Sequence, residues 1–203
     1  MIAIVYGTRP EFLKVYPIIL EAKKRALAFI TINTGQHTTM LTEMEELFGF
    51  KPNYTLKSQS NAYSNSNLLA KLIDSIAEVV KSNAIEKIIA QGDTFTVLAS
   101  SIVAFLEKRE FYHIEAGLRT DDIRFPFPEE YNRRVVSLTS EINFAPTPLA
   151  KQNLLKENIS EERIIVTGNT IIDLLTYVME KENISLTKGH DIFINAHRRE
   201  NIS

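Results

Sequence analysis

Residues 113–134 read HIEAGLRTDDIRFPFPEEYNRR, and nine of these 22 residues carry a charge. The stretch begins inside an apolar run that includes Phe111, Tyr112 and Ile114, which is typical of a buried strand. The predicted strand ends at Glu115, and the chain then passes through a glycine into a loop rich in arginine, proline and carboxylate residues. This arrangement is unusual. In open α/β folds the loops at the carboxyl ends of strands bind ligands, so this stretch predicts both a fold class and the position of a site.

The rest of the chain alternates short β-branched runs with longer helical patterns. The predicted strands are Ile2–Tyr6, Ala28–Asn33, Lys87–Ala90, Phe111–Glu115, Ile142–Ala145, Arg163–Val166 and Asp191–Asn195, with Tyr54–Lys57 as a weaker eighth. Ser64–Lys81 carries its leucine, isoleucine and valine residues in a helical stripe, and Val97–Leu106 carries a wider one. This alternation predicts parallel βαβ units, with helices on both faces of the sheet.

Glycine and proline mark the turns between these elements. Five of the seven glycines come just after a predicted strand and are followed by polar residues, so the loops there are predicted to be functional. Pro10 and Pro128 fit the first turn of the helices that follow them, as does Pro148 after the candidate cap Thr147.

The composition narrows the classes of protein to consider. The chain has 203 residues, of which 44% are hydrophobic, and a formal net charge of −2, so nothing indicates a nucleic-acid or membrane partner. The absence of cysteine excludes disulfides and thiolate catalysis and fits a cytoplasmic location. No two of the four histidines are spaced i, i+4, so we expect no zinc site.

The last segment predicts a domain boundary. Thr187–His190 is a polar link, after which Asp191–Asn195 begins a new strand shortly before Ser203. We therefore expect one domain over residues 1–185, followed by a linker and the first strand of a truncated second domain over residues 186–203.

Two carboxylates are candidates for proton transfer. Glu115 ends a central strand, where an unpaired carboxylate would be costly, and we expect Arg9, Arg119 or Arg124 to be its partner. Asp93 follows another strand at the start of a helix, where the alternative is a simple N-terminal cap. Opposed carboxylates with arginines nearby suit proton transfer next to an anionic leaving group.

Other charged residues have a structural alternative as well. Arg9 either binds a phosphate at a helix N-terminus or is a surface arginine in a plain turn. Glu129 and Glu130 lie in a first helical turn, where carboxylates stabilise a helix without any catalytic role. His113, inside an apolar strand, is more often a core residue than a catalyst.

Seven motifs occur in an order that resembles the UDP-N-acetylglucosamine 2-epimerase family: GTRPE, TGQH, QGDT, HIEAGLRT, PFPEEYNRR, TGNTIID and HRREN. The resemblance covers essentially the whole chain. It implies the N-terminal Rossmann-like domain of a two-domain glycosyltransferase-B fold, with the second half of the family's chain missing.

The resemblance also implies a reaction and its residues. UDP leaves UDP-GlcNAc to give a 2-acetamidoglucal and adds back after reprotonation, which yields UDP-ManNAc without a nicotinamide or other cofactor. The implied acid–base residues are Asp93, Glu115 and Glu129, with His197 near the diphosphate. The implied substrate-binding residues are Arg9, Arg119, Gln36 and His37, the last two matching a region that binds an activating UDP-GlcNAc in some bacterial members.

Three alternatives remain open from the sequence. The family's hydrolysing members release ManNAc and UDP, and no motif separates them from the non-hydrolysing members. The second alternative is a truncated module that binds a sugar nucleotide or a partner and catalyses no reaction. The third and more distant alternative is a general glycosyltransferase. The resemblance further implies a homodimer when full length and a role in making precursors of cell-surface polysaccharides.

Overall fold

The computed structural model of the chain describes residues 1–36, 39–57 and 64–185. The predicted strand Asp191–Asn195 and the two site candidates His37 and His197 lie outside these residues. The described strands are β1 Ile2–Tyr6, β2 Phe29–Asn33, β3 Tyr54–Thr55, β4 Lys87–Gln91, β5 Glu110–Ile114, β6 Ile142–Ala145 and β7 Ile164–Val166. The helices are α1 Arg9–Lys24, α2 Thr39–Leu47, α3 Asn65–Ser82, α4 Phe95–Leu106, α5 Glu129–Thr139, α6 Pro148–Lys156 and α7 Thr170–Lys181.

All seven strands form one sheet in the order β3-β2-β1-β4-β5-β6-β7. Every neighbouring pair is parallel, which confirms the predicted βαβ organisation. The strand order reverses between β1 and β4, because the chain first builds outward to β3 and then returns to the other side of β1. Such a reversal leaves a crevice at the carboxyl ends of the two strands, where ligands bind in folds of this class.

Helices cover both faces of the sheet, as the sequence predicts. On one face, α3 and α4 pack on alternate residues of the central strands, among them Ala3, Val5 and Ile88. On the other face, α1, α2 and α7 pack around Ile4 and Tyr6 of β1. The alternation of side chains along each strand sends successive residues into two separate cores, which fixes the pairing register.

The ends of the elements differ from the prediction by one or two residues. Strand β5 ends at Ile114, so Glu115 lies just beyond it with a φ of +66°, a left-handed conformation that no strand residue adopts. Arg163 ends a short 3-10 turn before β7. Pro128 precedes α5 at the cap position and is not in its first turn, because its backbone angles of −93° and 10° are not helical.

The cap of α1 shows how local sequence fixes a site loop. The Thr8 side chain accepts a hydrogen bond from the Glu11 amide, the Glu11 carboxylate accepts one from the Thr8 amide, and Pro10 lies in the first turn. This reciprocal arrangement satisfies amide groups that a helix start otherwise leaves unpaired. It begins α1 two residues after β1 ends, which brings Arg9 to the carboxyl edge of the sheet.

Within the described ranges, no helix is long and apolar enough to cross a membrane.

Candidate active site

The loops after β4 and β5 lie beside the reversal of strand order. Together with α1 and α5 they surround a small cleft with a volume of about 200 Å³. Its lining residues are Lys14, Gln91, Gly92, Asp93, Glu115, Leu118 and Arg133. The cleft therefore brings together Asp93 and Glu115, two of the carboxylates that the sequence predicts for proton transfer.

Glu115 is held by three donors from three different elements. Its Oε2 atom accepts hydrogen bonds from Lys14 Nζ on α1 and Gln91 Nε2 on β4. Its Oε1 atom accepts one from Asn169 Nδ2 at 3.2 Å. The side chain is 13% exposed, so it is reachable from the cleft while most of its surface is buried.

The prediction that an arginine pairs with Glu115 is wrong, because the partner is Lys14. Arg9 is the first residue of α1 and is exposed, whereas Lys14 lies roughly a turn and a half further along the helix, beside Glu115. Arg124 is exposed, and its backbone amide donates to Asp122 Oδ1 at 2.9 Å.

Asp93 is not the cap of α4, which corrects the structural alternative considered for it. The cap is Thr94, whose side chain accepts a hydrogen bond from the Thr96 amide. The Asp93 carboxylate instead pairs with Arg133 on α5, with Oδ2 at 2.6 Å from Nη2 and 2.8 Å from Nε. Both nitrogens contact the same oxygen, so the pair holds Asp93 Oδ2 in place beside the positive charge of Arg133.

Side chains from β5 and α5 hold the backbone that carries Asp93. The ring Nε2 of His113 donates to the Gly92 carbonyl at 2.8 Å, and the Asn132 amide donates to the Asp93 carbonyl at 2.7 Å. His113 is fully buried, and that burial lowers its pKa to about 4, so the ring is neutral near pH 7. The interpretation of His113 as a core residue is confirmed, and its bond to Gly92 connects it to the site.

Glu11 is a buried carboxylate that contacts two of the loops at this edge of the sheet. Glu11 accepts hydrogen bonds from the amides of Gly7 and Thr8 at 2.8 Å each and from Thr94 Oγ1 at 2.5 Å. Burial nevertheless raises the pKa of Glu11 to about 7. These bonds join the β1–α1 loop to the β4–α4 loop, so Glu11 holds together the two loops on either side of the strand reversal.

Gln36 belongs to the same set of loops. Its Oε1 atom accepts a hydrogen bond from Thr96 Oγ1 at 2.9 Å, and that hydroxyl lies 2.8 Å from the hydroxyl of Thr34. The loop after β2 is thereby joined to the start of α4. Gln36 does not line the cleft around Glu115.

Glu129 and Glu130 lie at the start of α5 and have different surroundings. Glu130 is fully buried and accepts from Arg134 Nε at 3.0 Å, from Arg133 Nη1 at 3.2 Å and from the Thr120 amide at 3.3 Å. Glu129 is half-buried and is not among the residues that line the cleft.

Arg119 is committed to contacts outside the cleft. Its guanidinium donates to the Glu157 carboxylate at 2.7 and 2.8 Å and to Ser137 Oγ at 3.2 Å. Its side chain is almost fully buried. The structure therefore separates Arg119 from Asp93 and Glu115, although all three were predicted for one site.

Sequence reasoning missed several residues around the two carboxylates. They are Lys14, Gln91, Asn169, Arg133 and Glu11. The Thr8–Glu11 spacing of a capping box was a readable signal for Glu11. The others come from elements far apart in the chain, and only the strand order brings them together.

Among the residues with assigned positions, no group of three or more histidine, aspartate or glutamate side chains is arranged to hold a metal ion.

Comparison with protein families gives one match over most of the chain. The family model described as UDP-N-acetylglucosamine 2-epimerase matches residues 20–203. A curated relative of that name from Neisseria meningitidis is 39% identical over 211 residues, covering 97% of this chain and 57% of the relative. The chain thus spans about half the length of the curated relatives it matches.

Solved structures agree with the sequence match. The crystal structure of the Neisseria meningitidis UDP-GlcNAc 2-epimerase bound to UDP-GlcNAc superimposes with a TM-score of 0.85 at 40% identity, over 91% of this chain and 50% of that one. The Methanocaldococcus jannaschii enzyme in complex with UDP-GlcNAc and UDP gives a TM-score of 0.84 at 35% identity, over 91% and 51%. Acinetobacter baumannii MurG, at 9% identity and a TM-score of 0.59, shares the fold alone. The chain has the Rossmann-like fold of one half of such glycosyltransferase-B-type proteins.

Proposed function

We propose that this chain, which belongs to the UDP-N-acetylglucosamine 2-epimerase family, supplies the proton-transfer half of a site that interconverts UDP-GlcNAc and UDP-ManNAc. The substrate is proposed from the UDP-GlcNAc bound by the Neisseria meningitidis relative and the UDP-GlcNAc and UDP bound by the Methanocaldococcus jannaschii relative. The proposed reaction is an elimination of UDP followed by its re-addition, with the proton at C2 of the sugar exchanged between the two steps.

The reaction needs a base and an acid at the two faces of the sugar ring. A base takes the C2 proton, the C2–H electrons form the C1=C2 double bond, and the C1–O bond to the diphosphate breaks. In the return step an acid delivers a proton to the other face of C2 while UDP adds back to C1. Asp93 and Glu115, on loops after neighbouring strands, are the pair that we assign to these transfers, with Glu129 as the further acid–base candidate.

The observation that carries the proposal is the conformation and setting of Glu115. A non-glycine residue with a φ of +66° at a strand end is strained, and such strain persists where the surrounding structure holds it. Here the residue is held by Lys14, Gln91 and Asn169 and opens onto the cleft. A residue with a strained backbone, whose carboxylate three separate elements hold at the carboxyl edge of the sheet, is typical of a catalytic group.

The charges around the cleft suit an anionic leaving group. Lys14 and Arg133 both line it; Lys14 pairs with Glu115, and Arg133 pairs with Asp93 and Glu130. Arg9 lies at the N-terminus of α1, and no salt bridge joins it to a residue within the described ranges. We propose that Arg9 contacts the diphosphate, since its charge and the helix N-terminus both favour an anion.

The size of the cleft indicates how the substrate is divided. A volume of about 200 Å³ lies below the roughly 300–1,000 Å³ of pockets that enclose a drug-sized ligand. We propose that this half binds the sugar, and that residues of the other half of the family's chain bind most of the nucleotide.

Further residues are proposed to bind the substrate or an activator. We propose that His197 lies near the diphosphate and that Arg119 contacts the substrate. Gln36 and His37 are proposed to bind a second, activating UDP-GlcNAc. Residues 1–185 are the proposed domain of this half.

The proposal extends to the setting of the protein. We propose a cytoplasmic homodimer that makes precursors of cell-surface polysaccharides, and light scattering after gel filtration measures its assembly.

Proton NMR of the chain with UDP-GlcNAc in D2O tests the reaction. UDP-ManNAc with deuterium at C2 is the expected product. Free ManNAc together with UDP would assign the hydrolysing reaction instead. An unchanged spectrum would show that the chain does not catalyse either reaction by itself.

A matched pair of variants tests the assigned residue. Glu115→Gln keeps the size of the side chain and removes one of the two proton-transfer groups, so we expect a turnover lower by about 10²–10⁴-fold. Glu161→Gln is the control, because Glu161 is an exposed partner of Lys151 away from the cleft. Equal turnover in the two variants would remove Glu115 from the mechanism.

A further inference from the structure

Asn169 uses its side chain in two directions at once. It is the N-terminal cap of α7, where its Oδ1 atom accepts a hydrogen bond from the Ile171 amide at 3.1 Å. Its Nδ2 atom donates to Glu115 Oε1 at 3.2 Å. The helix cap uses the oxygen of the side-chain amide, and the contact with Glu115 uses its nitrogen.

The three donors to Glu115 are distributed unequally between its two oxygens. Lys14 and Gln91 both bind Oε2, and Asn169 alone binds Oε1. The last torsion of a glutamate side chain has a broad energy profile, so contacts to one oxygen leave the carboxylate free to pivot about that atom. The bond from Asn169 to the other oxygen fixes the plane of the carboxylate.

Helix α7 connects this bond to the body of the domain. Leu174 is buried in the same core as Phe12 of α1, and the rings of Tyr177 and Tyr16 lie 6.1 Å apart. Helix α1 also carries Lys14, the partner of the other oxygen. The two oxygens of Glu115 are therefore held by two helices that pack against each other.

We propose that Asn169 is a positioning residue that fixes the plane of the Glu115 carboxylate and makes that orientation depend on how α7 packs on α1. The effect on catalysis rests on the proposed function. The coupling between Asn169 and Glu115 rests on the geometry alone.

The turnover test separates the two uses of the Asn169 side chain. Asn169→Ser keeps a good cap, since serine and asparagine cap helices about equally well, but its shorter side chain no longer reaches Glu115 as Nδ2 does. We expect kcat to fall by about 10–100-fold with KM nearly unchanged, because a misplaced reacting group lowers the rate of the chemical step. Asn169→Ala, which loses both uses, is expected to show the same loss of kcat and a lower Tm. Asn169→Asp keeps the cap and places a like charge beside Glu115, so its kcat should be the lowest of the three.

The control is another helix cap of the same fold. Thr147 caps α6 through the Ala150 amide and has no contact with the cleft. Thr147→Ala is expected to lower Tm much as Asn169→Ala does and to leave kcat unchanged. A wild-type kcat in Asn169→Ser, or an equal loss of kcat in Thr147→Ala, would overturn the proposal.

A second measurement does not depend on turnover. Urea unfolding of wild type, Asn169→Ser, Glu115→Ala and the double variant forms a cycle that detects direct coupling. We expect the midpoint shift of the double variant to be smaller than the sum of the single shifts, and additive shifts would overturn the proposal. If wild type converts no UDP-GlcNAc while the cycle is non-additive, the proposed function fails for this chain and the positioning by Asn169 stands.

Discussion

Two carboxylates from the same charged stretch, Glu115 and Glu130, have opposite surroundings. Glu115 with Lys14, Gln91 and Asn169 forms the open cluster, which faces the cleft. Glu130 with Arg134, Glu157 and Arg119 forms the closed cluster, in which Glu130 is fully buried and Arg134 links it to Glu157. Both clusters balance their charges, but the carboxylate of Glu115 opens onto the cleft, whereas that of Glu130 is fully enclosed.

The difference lies in where the partners come from. The partners of Glu130 are 3, 4 and 10 residues away in the chain, on its own helix and the preceding loop. The partners of Glu115 are 101, 24 and 54 residues away, on α1, β4 and the cap of α7. The nearby partners of Glu130 enclose it completely, whereas the three distant elements around Glu115 leave part of its side chain exposed to the cleft. Charge content alone therefore does not distinguish a site from a structural network.

The largest expected contrast is in stability. Removing one partner of a buried ion pair leaves the other charge unpaired and costs about 3–5 kcal/mol, so we expect Glu130→Ala to lower the free energy of unfolding by that amount. Glu115→Ala affects partly exposed partners and should cost about 1 kcal/mol. Urea unfolding of both variants measures the contrast. Equal losses in the free energy of unfolding would show that the two carboxylates contribute equally to stability.

A second contrast involves two buried titratable groups, Glu11 and His113, and is read from pH dependence. Glu11 has a folded pKa of about 7 against 4.5 for an unperturbed glutamate, so the folded state binds more protons between these values. The buried charge of Glu11 therefore destabilises the folded state least below pH 4.5, and this destabilisation grows as pH rises through 7. The stability of wild type relative to Glu11→Gln should therefore fall by about 3 kcal/mol from pH 4.5 to 7.

His113 provides the opposite slope as a control. Burial lowers its pKa from 6.5 to about 4, so the unfolded state binds more protons between these values. The stability of wild type relative to His113→Gln should rise with pH across that window. Chemical unfolding at several pH values measures both differences, and two slopes of the same sign would contradict the assigned directions.

A third prediction tests the strain at Glu115. Glycine adopts a φ of +66° without the steric cost that other residues meet, about 1–2 kcal/mol. Glu115→Gly should therefore be more stable than Glu115→Ala by about 1 kcal/mol. At Glu110, in the preceding strand β5 and without a positive φ, we expect the reverse order, since glycine weakens an ordinary strand. The same order at both positions would show that the Glu115 backbone is unstrained.

The smallest expected effect tests the link between the closed cluster and the cleft. Arg133 pairs with Asp93, which lines the cleft, through Nη2 at 2.6 Å and with Glu130 through Nη1 at 3.2 Å. A double-mutant cycle of Asp93→Asn and Glu130→Gln should show a coupling of about 0.5 kcal/mol. Strict additivity in the unfolding free energies would mean that Asp93 and Glu130 are energetically independent.

Much of the fold was predictable from local pattern. Strands β1 and β6 begin and end where their apolar runs predict, and Ser64 and Thr147 cap the helices expected after them. The partner of Glu115 was not predictable, because nothing in the sequence around Lys14 distinguishes it from the solvent-exposed lysines of the same helix. Asp93 looked like a cap in sequence, yet the neighbouring Thr94 has that role and leaves the Asp93 carboxylate free to pair with Arg133.

The alternation of strands and helices, the family and the two carboxylates at strand ends can all be inferred from the amino-acid sequence. They follow from side-chain periodicity, from turn residues and from motif order, all of which are properties of short segments. The pairing of Glu115 with Lys14 and Asn169, of Asp93 with Arg133 and of Arg119 with Glu157 emerges only in the folded chain. Charge pairing depends on distance in space, and the strand order brings residues up to 101 positions apart to one edge of the sheet.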